Sequence, residues 1–294
     1  MLHPIATRQE ISLLPTEDQK ALDALVAKGI RLPPQPRVLI ELREAIDSAD
    51  YTVGTISRII NQDPGLVAML FKISRSPAFS RGRQFNKLGD VLQVIGIQQA
   101  YNLVQSIALS TAIGGETRNA FARFWSRSGE VAELSSLIAE DHVGVCNVFP
   151  DQAYLAGIFH QCGVPVLMMR FPDYCKKLHL DDTQNWPDLA EEDAIFNVDH
   201  CSIGYLVARH WGLPDFVCAA IRYHDELPTE EAGQAISLVC IVQLAIHCYL
   251  YNNRQANPLW ETIGARVRDE LGISAHELGD YLDDVLRRFH QAAL

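Results

Sequence analysis

Within Tyr154-Leu-Ala-Gly-Ile-Phe-His-Gln-Cys-Gly163, a histidine is followed directly by a glutamine. An imidazole offers a metal ion a nitrogen, and a following aspartate would add an anionic oxygen able to bridge two ions. The Gln161 amide carries no charge and donates as well as accepts, so it cannot bridge as an anion. Two further clusters carry charge. Asp181-Asp182 and Glu191-Glu192-Asp193 form a carboxylate-rich connection around Trp186-Pro187. Acid–base work needs desolvation that an exposed loop does not supply, so these carboxylates are expected to form a solvated face. Arg75, Arg81, Arg83 and Lys87 form a basic loop with no acidic residue between them. That loop is expected to be solvated and to balance an acidic body, with an acidic partner or phosphate as the alternative. The chain shows no phosphate-cradling glycine loop, nucleophile elbow or Cys-His dyad signature.

The composition limits what scaffold carries these groups. With 294 residues, 48% hydrophobic and 21% charged, the sequence reads as folded, with room for one large or two moderate domains. A net charge of −11 argues against a general affinity for polyanions. Seven cysteines, without a Cys-x-x-Cys pair, argue against a disulfide framework or zinc knuckle and point to a reducing cytoplasm. Met1 to Glu10 lacks the basic start and apolar run of an export signal. Ala235 to Tyr251 is short for a membrane span and contains Ser237, Gln243 and His247, so it is expected to be a buried core helix.

Helical signals run from end to end. Thr16 with Gln19 and Gly29 bracket a first helix. Leu32-Pro-Pro-Gln-Pro36 breaks the chain ahead of the next, whose apolar face is Val38, Leu39, Leu42, Ala45 and Ile46. Thr52 is expected to cap a helix through Ile60, and Asp63-Pro64 to open one through Ser74. Arg75 to Lys87 reads as loop, and Asp90 to Ile113 as helix with a joint at Gly96. Gly114-Gly115 separates this half from a second, with helices over Arg118–His142, Gln152–Arg170, Leu189–Trp211, Pro214–His224 and Gly233–Tyr251. Leu259 to Leu294 holds two more, the last opened by a Ser274/Glu277 capping box. Thr52 to Ser74 has the length of a helix-turn-helix, but its second helix is mostly apolar with a single Lys72, unlike a recognition helix. No strand pattern or repeat is present, so the fold is expected to be all-α.

Taken in order, several stretches resemble the HDOD domain, a bacterial signal-transduction module related to the HD and HD-GYP phosphohydrolases. They are Leu32-Pro-Pro-Gln-Pro36, Asn61-Gln-Asp-Pro-Gly-Leu66, Leu88 to Gly96, Phe124-Trp125, Tyr154 to Gly163, Val198-Asp-His200 with Gly204, and Trp211-Gly-Leu-Pro214 through Ile221-Arg-Tyr-His224. The resemblance spans about Lys28 to Glu226. It implies an N-terminal helical extension over 1–27, an HDOD domain over 28–226 and a C-terminal helical extension over 227–294. The domain would comprise a helical half (28–115) packed on a degenerate HD-like half (116–226), making a multi-helix bundle.

The resemblance also implies a site. His160, His200 and His224 match positions that hold metal in active HD-type enzymes. The first histidine of that motif falls near Arg127, its bridging aspartate is Gln161, and the second histidine of the family's His-His pair is Asp225. The final aspartate falls near Ile246. The glycine-tyrosine-proline signature of cyclic-di-GMP hydrolases is absent after His224, where Asp225-Glu-Leu-Pro228 follows. Two-metal hydrolysis needs anionic oxygens to hold the ions and acidify bound water. An arginine beside the site would repel cations and instead meet Asp225 or a phosphate.

The reading adopted from the sequence therefore has no catalytic residues and no cofactor. His160, His200, His224 and Asp225 are a vestigial metal set holding at most one divalent ion such as zinc, iron or manganese. The histidines are expected to be hydrogen-bonded core residues, and the adjacent Cys162 and Cys201 small core residues. Arg127 and Gln161 are candidates for binding a ligand, such as a small phosphorylated molecule. The implied function is non-catalytic signal transduction in the bacterial cytoplasm, through unidentified signalling proteins or a small ligand, without nucleic acid or membrane. The competing reading is a metal-dependent phosphohydrolase acting on a nucleotide or phosphate ester.

Overall fold

The structure, a computed structural model, describes residues 16–27, 29–32, 35–48, 51–74, 79, 87–112, 118–180, 185–227 and 235–292. Arg75, Arg81, Arg83, Gly114-Gly115, Asp181-Asp182 and the first ten residues lie outside them. Among the described residues every regular element is a helix and none is a strand.

Six helices come first: α1 (Thr16–Ala27), α2 (Arg37–Asp47), α3 (Val53–Ile60), α4 (Pro64–Ser74), α5 (Leu88–Ile95) and α6 (Ile97–Ala112). Their ends follow local chemistry. Thr52 accepts from the Thr55 N–H at 3.1 Å, and Asp63 Oδ1 accepts from Gly65 and Leu66 at 2.9 and 3.2 Å, satisfying donors a helix start leaves open. Gly96 takes a φ of 96°, a left-handed-side angle that separates α5 from α6. In α4, Leu66, Leu70 and Ile73 are buried and the helix packs on α6, so it serves the core. Phe79, expected in a loop, is helical and buried edge-on against Tyr154.

The long α7 (Arg118–Cys146) packs along α8 (Pro150–Phe159), and α6 docks on the opposite side of α8. Then follow α9 (Gly163–Arg170), the single-turn α10 (Tyr174–Lys177), α11 (Leu189–Phe196), α12 (His200–His210) and α13 (Asp215–Tyr223). The chain closes with α14 (Ile236–Asn252), α15 (Pro258–Leu271) and α16 (Leu278–Ala292). As expected, α14 is a core helix, with Leu238 to Ile246 continuously buried, and no helix is long and apolar enough to cross a membrane. It packs on α7, α8, α13 and α15.

Two expected helices are each broken in two. Gln152–Arg170 turns at His160–Cys162, where Cys162 N–H donates to the Phe159 carbonyl at 2.8 Å before α9 begins. Leu189–Trp211 turns at Asn197, which adopts a left-handed φ of 53°, and Asp199 then caps α12 by accepting from the Ser202 N–H at 2.7 Å. Both breaks set histidines at helix ends. The proposed Ser274/Glu277 box also differs: the Ser274 hydroxyl donates to the Glu277 carboxylate in a turn, and α16 starts only at Leu278.

Two glycines are dictated by close approach. A Cβ on Gly163 would lie 2.1 Å from the His200 carbonyl oxygen, so only glycine lets α9 start against α12. Gly212, at φ 66°, closes α12 beneath the Arg43 guanidinium, which donates to the Trp211 and Gly212 carbonyls at 2.9 and 3.0 Å. Gln35 and Gln105 donate to the same Trp211 carbonyl, tying α2, α6 and the preceding loop to the end of α12.

Candidate functional site

The breaks described above bring three histidine rings together. His160 ends α8, His200 opens α12 and His224 ends α13. The His160 and His224 ring centroids lie 5.0 Å apart, and those of His200 and His224 5.3 Å. All three residues have 0% exposure.

Each ring is held by its Nδ1. His160 Nδ1 lies 2.5 Å from the Gly157 carbonyl, His224 Nδ1 2.8 Å from the Ile221 carbonyl and His200 Nδ1 2.6 Å from Glu192 Oε2. Donation from Nδ1 leaves Nε2 of each ring with its lone pair. Around these nitrogens stand Cys201 and Asp225. Cys201 Sγ is 3.7 Å from His200 Nε2 and 4.0 Å from His224 Nε2. Asp225 lies 3.5 Å from His200 Nε2 and 3.9 Å from His224 Nε2, its side chain 20% exposed at the rim. His160 Nε2 is buried with no hydrogen-bond partner.

The electrostatics reflect this crowding. Burial and the neighbouring His224 push His160 well below its ordinary value. Burial also opposes charge on His200, but Cys201, Glu192 and Asp225 outweigh it and raise that imidazole well above the usual value. His224 is raised in the same way by Cys201 and Asp225 against burial. In return, the imidazoles overcome burial to lower Cys201 and to hold Asp225 at about 2.

Glu192 corrects an expectation. Rather than forming a solvated face, it is fully buried on α11, accepts from both the backbone N–H and Nδ1 of His200, and receives the Tyr174 hydroxyl on its other oxygen. A carboxylate behind a histidine fixes the ring's tautomer and makes its far nitrogen more basic. Cys201 is likewise more than a filler of the core, since its sulfur faces two of the histidines. Cys162 does fill space: its thiol donates to the Gly204 carbonyl at 3.5 Å. All seven cysteines are free, as expected without a disulfide framework. The sequence reading also missed Gln243 on α14. Its amide donates to the carbonyls of Tyr223, His224 and Glu226, holding the turn that carries His224 and Asp225.

The remaining candidates lie around the cluster. Gln161 is buried beside His160, its Oε1 without a hydrogen-bond partner. Ile246, at the expected place of the last aspartate, is an apolar residue buried in α14. Arg127 on α7 stacks over the Trp186 ring at 4.2 Å and donates to the Asn185 carbonyl. Trp186 in turn lies 6.4 Å from the His160 ring, so the stacked pair stands on the outer side of the histidines. Beyond it opens a cleft of about 210 Å³ lined by Arg123, Ser126, Arg127, Asn185 and Tyr249, among others.

The donor set does not fit a two-metal centre, because a neutral amide stands where a bridging carboxylate is needed. It does gather nitrogen, sulfur and oxygen donors around one point.

Comparison with known proteins agrees with this architecture. A curated relative, an uncharacterized protein from Treponema pallidum (strain Nichols), is 25% identical over 239 residues, covering 79% of this chain and 45% of its own length. The chain thus spans about half the length of that relative. Among solved structures, a candidate metal-dependent phosphohydrolase from Shewanella amazonensis superposes with a TM-score of 0.71 at 20% identity, over 97% of this chain and 99% of its own. An HDOD domain protein of unknown function from Geobacter sulfurreducens gives 0.64 at 21% identity, over 97% of both chains. A candidate signal transduction protein from Marinobacter aquaeolei gives 0.68 at 20% identity, over 96% of this chain and 66% of its own. At these identities the likeness concerns fold. The HDOD domain model matches residues 32–227, about two-thirds of the sequence, and on that match the chain belongs to the HDOD domain family.

Proposed function

We propose that this protein is a non-catalytic signal-transduction module, acting through contacts with other signalling proteins or by recognising a small ligand. The observation that carries the reading is Gln161. A hydrolase of the HD type needs an anionic oxygen beside His160 to bridge two ions, and this chain supplies an uncharged, buried amide there. A second point supports it. The three histidines are wholly buried, with Trp186 and Arg127 stacked outside them, so a phosphate ester has no face of the cluster to approach. The cleft beyond Trp186 suits a small phosphorylated ligand instead. Arg123 and Arg127 supply guanidinium groups, and Ser126, Asn185 and Tyr249 supply neutral donors.

Purified protein assayed with manganese, iron or magnesium against a panel of phosphate esters and nucleotides tests the reading. The expected result is no turnover above a metal-only control. Turnover that disappears in both His160→Ala and His224→Ala establishes the hydrolase and ends the non-catalytic proposal.

A further inference from the structure

The geometry points to a closed, single-ion metal centre whose ligands are His200 Nε2, Cys201 Sγ, His224 Nε2 and an Asp225 carboxylate oxygen, fitted to a zinc-class ion. The case rests on a contrast within the rings. On the Nδ1 side, the three histidines make tight contacts of 2.5 to 2.8 Å. On the Nε2 side, the neighbouring donors of His200 and His224 stand 3.5 to 4.0 Å away. Those are too long for ordinary N–H···O bonds, which centre near ~2.9 Å.

They are the right length for donors that share an ion. Zinc bonds of roughly 2.0 to 2.3 Å place the corners of a tetrahedron about 3.3 to 3.8 Å apart. Two of the four measured edges, 3.5 and 3.7 Å, lie inside that range, and the others, 3.9 and 4.0 Å, exceed it by a tenth or two of an ångström. All four donor atoms lie within 4.8 Å of one another.

Independent features point the same way. Glu192 anchors the far nitrogen of His200, the arrangement that orients metal-bound histidines. His160 Nε2 is buried without a partner next to the His224 ring, a neighbouring nitrogen that direct hydrogen bonding leaves unexplained. Two imidazoles, a thiolate and a carboxylate form a borderline donor set, suited to zinc, cobalt(II) or iron(II) rather than magnesium or calcium. Four protein ligands also fill a tetrahedron, as in structural sites, so the centre keeps no open position for activating water.

This inference is separate from the signalling reading, because metal content is read without partner or substrate. Full-length protein is stripped with a chelator, titrated with cobalt(II) and zinc(II), and examined by elemental analysis and absorption spectroscopy. The expected result is one ion per chain and a cobalt–thiolate charge-transfer band. Cys201→Ser abolishes that band, whereas Cys146→Ser, away from the cluster, leaves it intact. Absence of stoichiometric binding, or a band that survives Cys201→Ser, overturns the inference. If Cys201→Ser loses its helical circular dichroism, Asp225→Asn at the rim decides: cobalt affinity reduced about tenfold or more supports the centre, and unchanged affinity overturns it.

Discussion

Two regions of this molecule bury a histidine in opposite ways. His247 on α14 stacks flat on Trp260 at 3.9 Å, has only Asn257 near its Nδ1, and is pushed by burial down to about 4. His200 is buried as deeply as any residue in the chain, yet Glu192, Cys201 and Asp225 surround it and raise its affinity for positive charge. The first region solves the desolvation problem by keeping the ring neutral. The second supplies anionic partners, which marks it as a place built to hold a cation, whether a proton or a metal. Depth alone does not decide a buried histidine's character.

The most forceful way to break this contrast is to remove Glu192. In Glu192→Ala, the His200 backbone N–H, its Nδ1 and the Tyr174 hydroxyl all lose their acceptor inside the core. A loss of about 3–5 kcal/mol is expected by urea denaturation. A loss below about 1 kcal/mol, the scale of an ordinary net hydrogen bond, would place His200 in the same class as His247.

Gly163→Ala acts on the same cluster through the backbone. Its new methyl meets the His200 carbonyl and must push α9 off α12, at an expected cost of roughly 1–3 kcal/mol or more. A crystal structure should show the two helices displaced and the His200 ring moved with them. A variant as stable as the parent would mean the turn at His160–Cys162 is softer than its packing indicates.

A pH series sharpens the other side of the contrast. Folded His247 stays neutral down to about 4, whereas the unfolded ring takes up a proton near its ordinary 6.5. Its contribution is therefore complete above pH 6.5 and lost as pH falls toward 4. Because the ring is partly exposed, on the order of 2 kcal/mol is expected over that window. His247→Phe should flatten the stability curve by that amount relative to the parent, and parallel curves would show that His247 titrates normally.

The smallest effect is expected at Lys177→Ala. Its pair with Asp173, 2.8 Å apart but half exposed, should cost less than about 1 kcal/mol. A larger loss would show that surface charge, and not only the buried cluster, stabilises this part of the chain.

The all-α architecture and many boundaries were legible because their signals are local. Thr52, Asp63-Pro64 and Gly96 act on atoms within four residues, so type and spacing suffice. The breaks at His160–Cys162 and Asn197–Asp199 were missed because apolar residues run straight through them. Asp199 three places before Ser202 was nevertheless a readable cap. Glu192 was misread because an acidic run looks solvated along the chain. Its burial depends on Tyr174, eighteen positions earlier, and His200, eight later. The three histidines were identified by type, but the involvement of Cys201 required His224 to arrive from a different helix.

Gln243 gives the fold a mechanical property. One amide on α14 grips three consecutive-region carbonyls of the loop that follows α13, so that loop has no independent travel. Displacing α14 along its axis therefore drags Asp225 and His224 with it, and whatever leans on the last three helices also leans on the histidines.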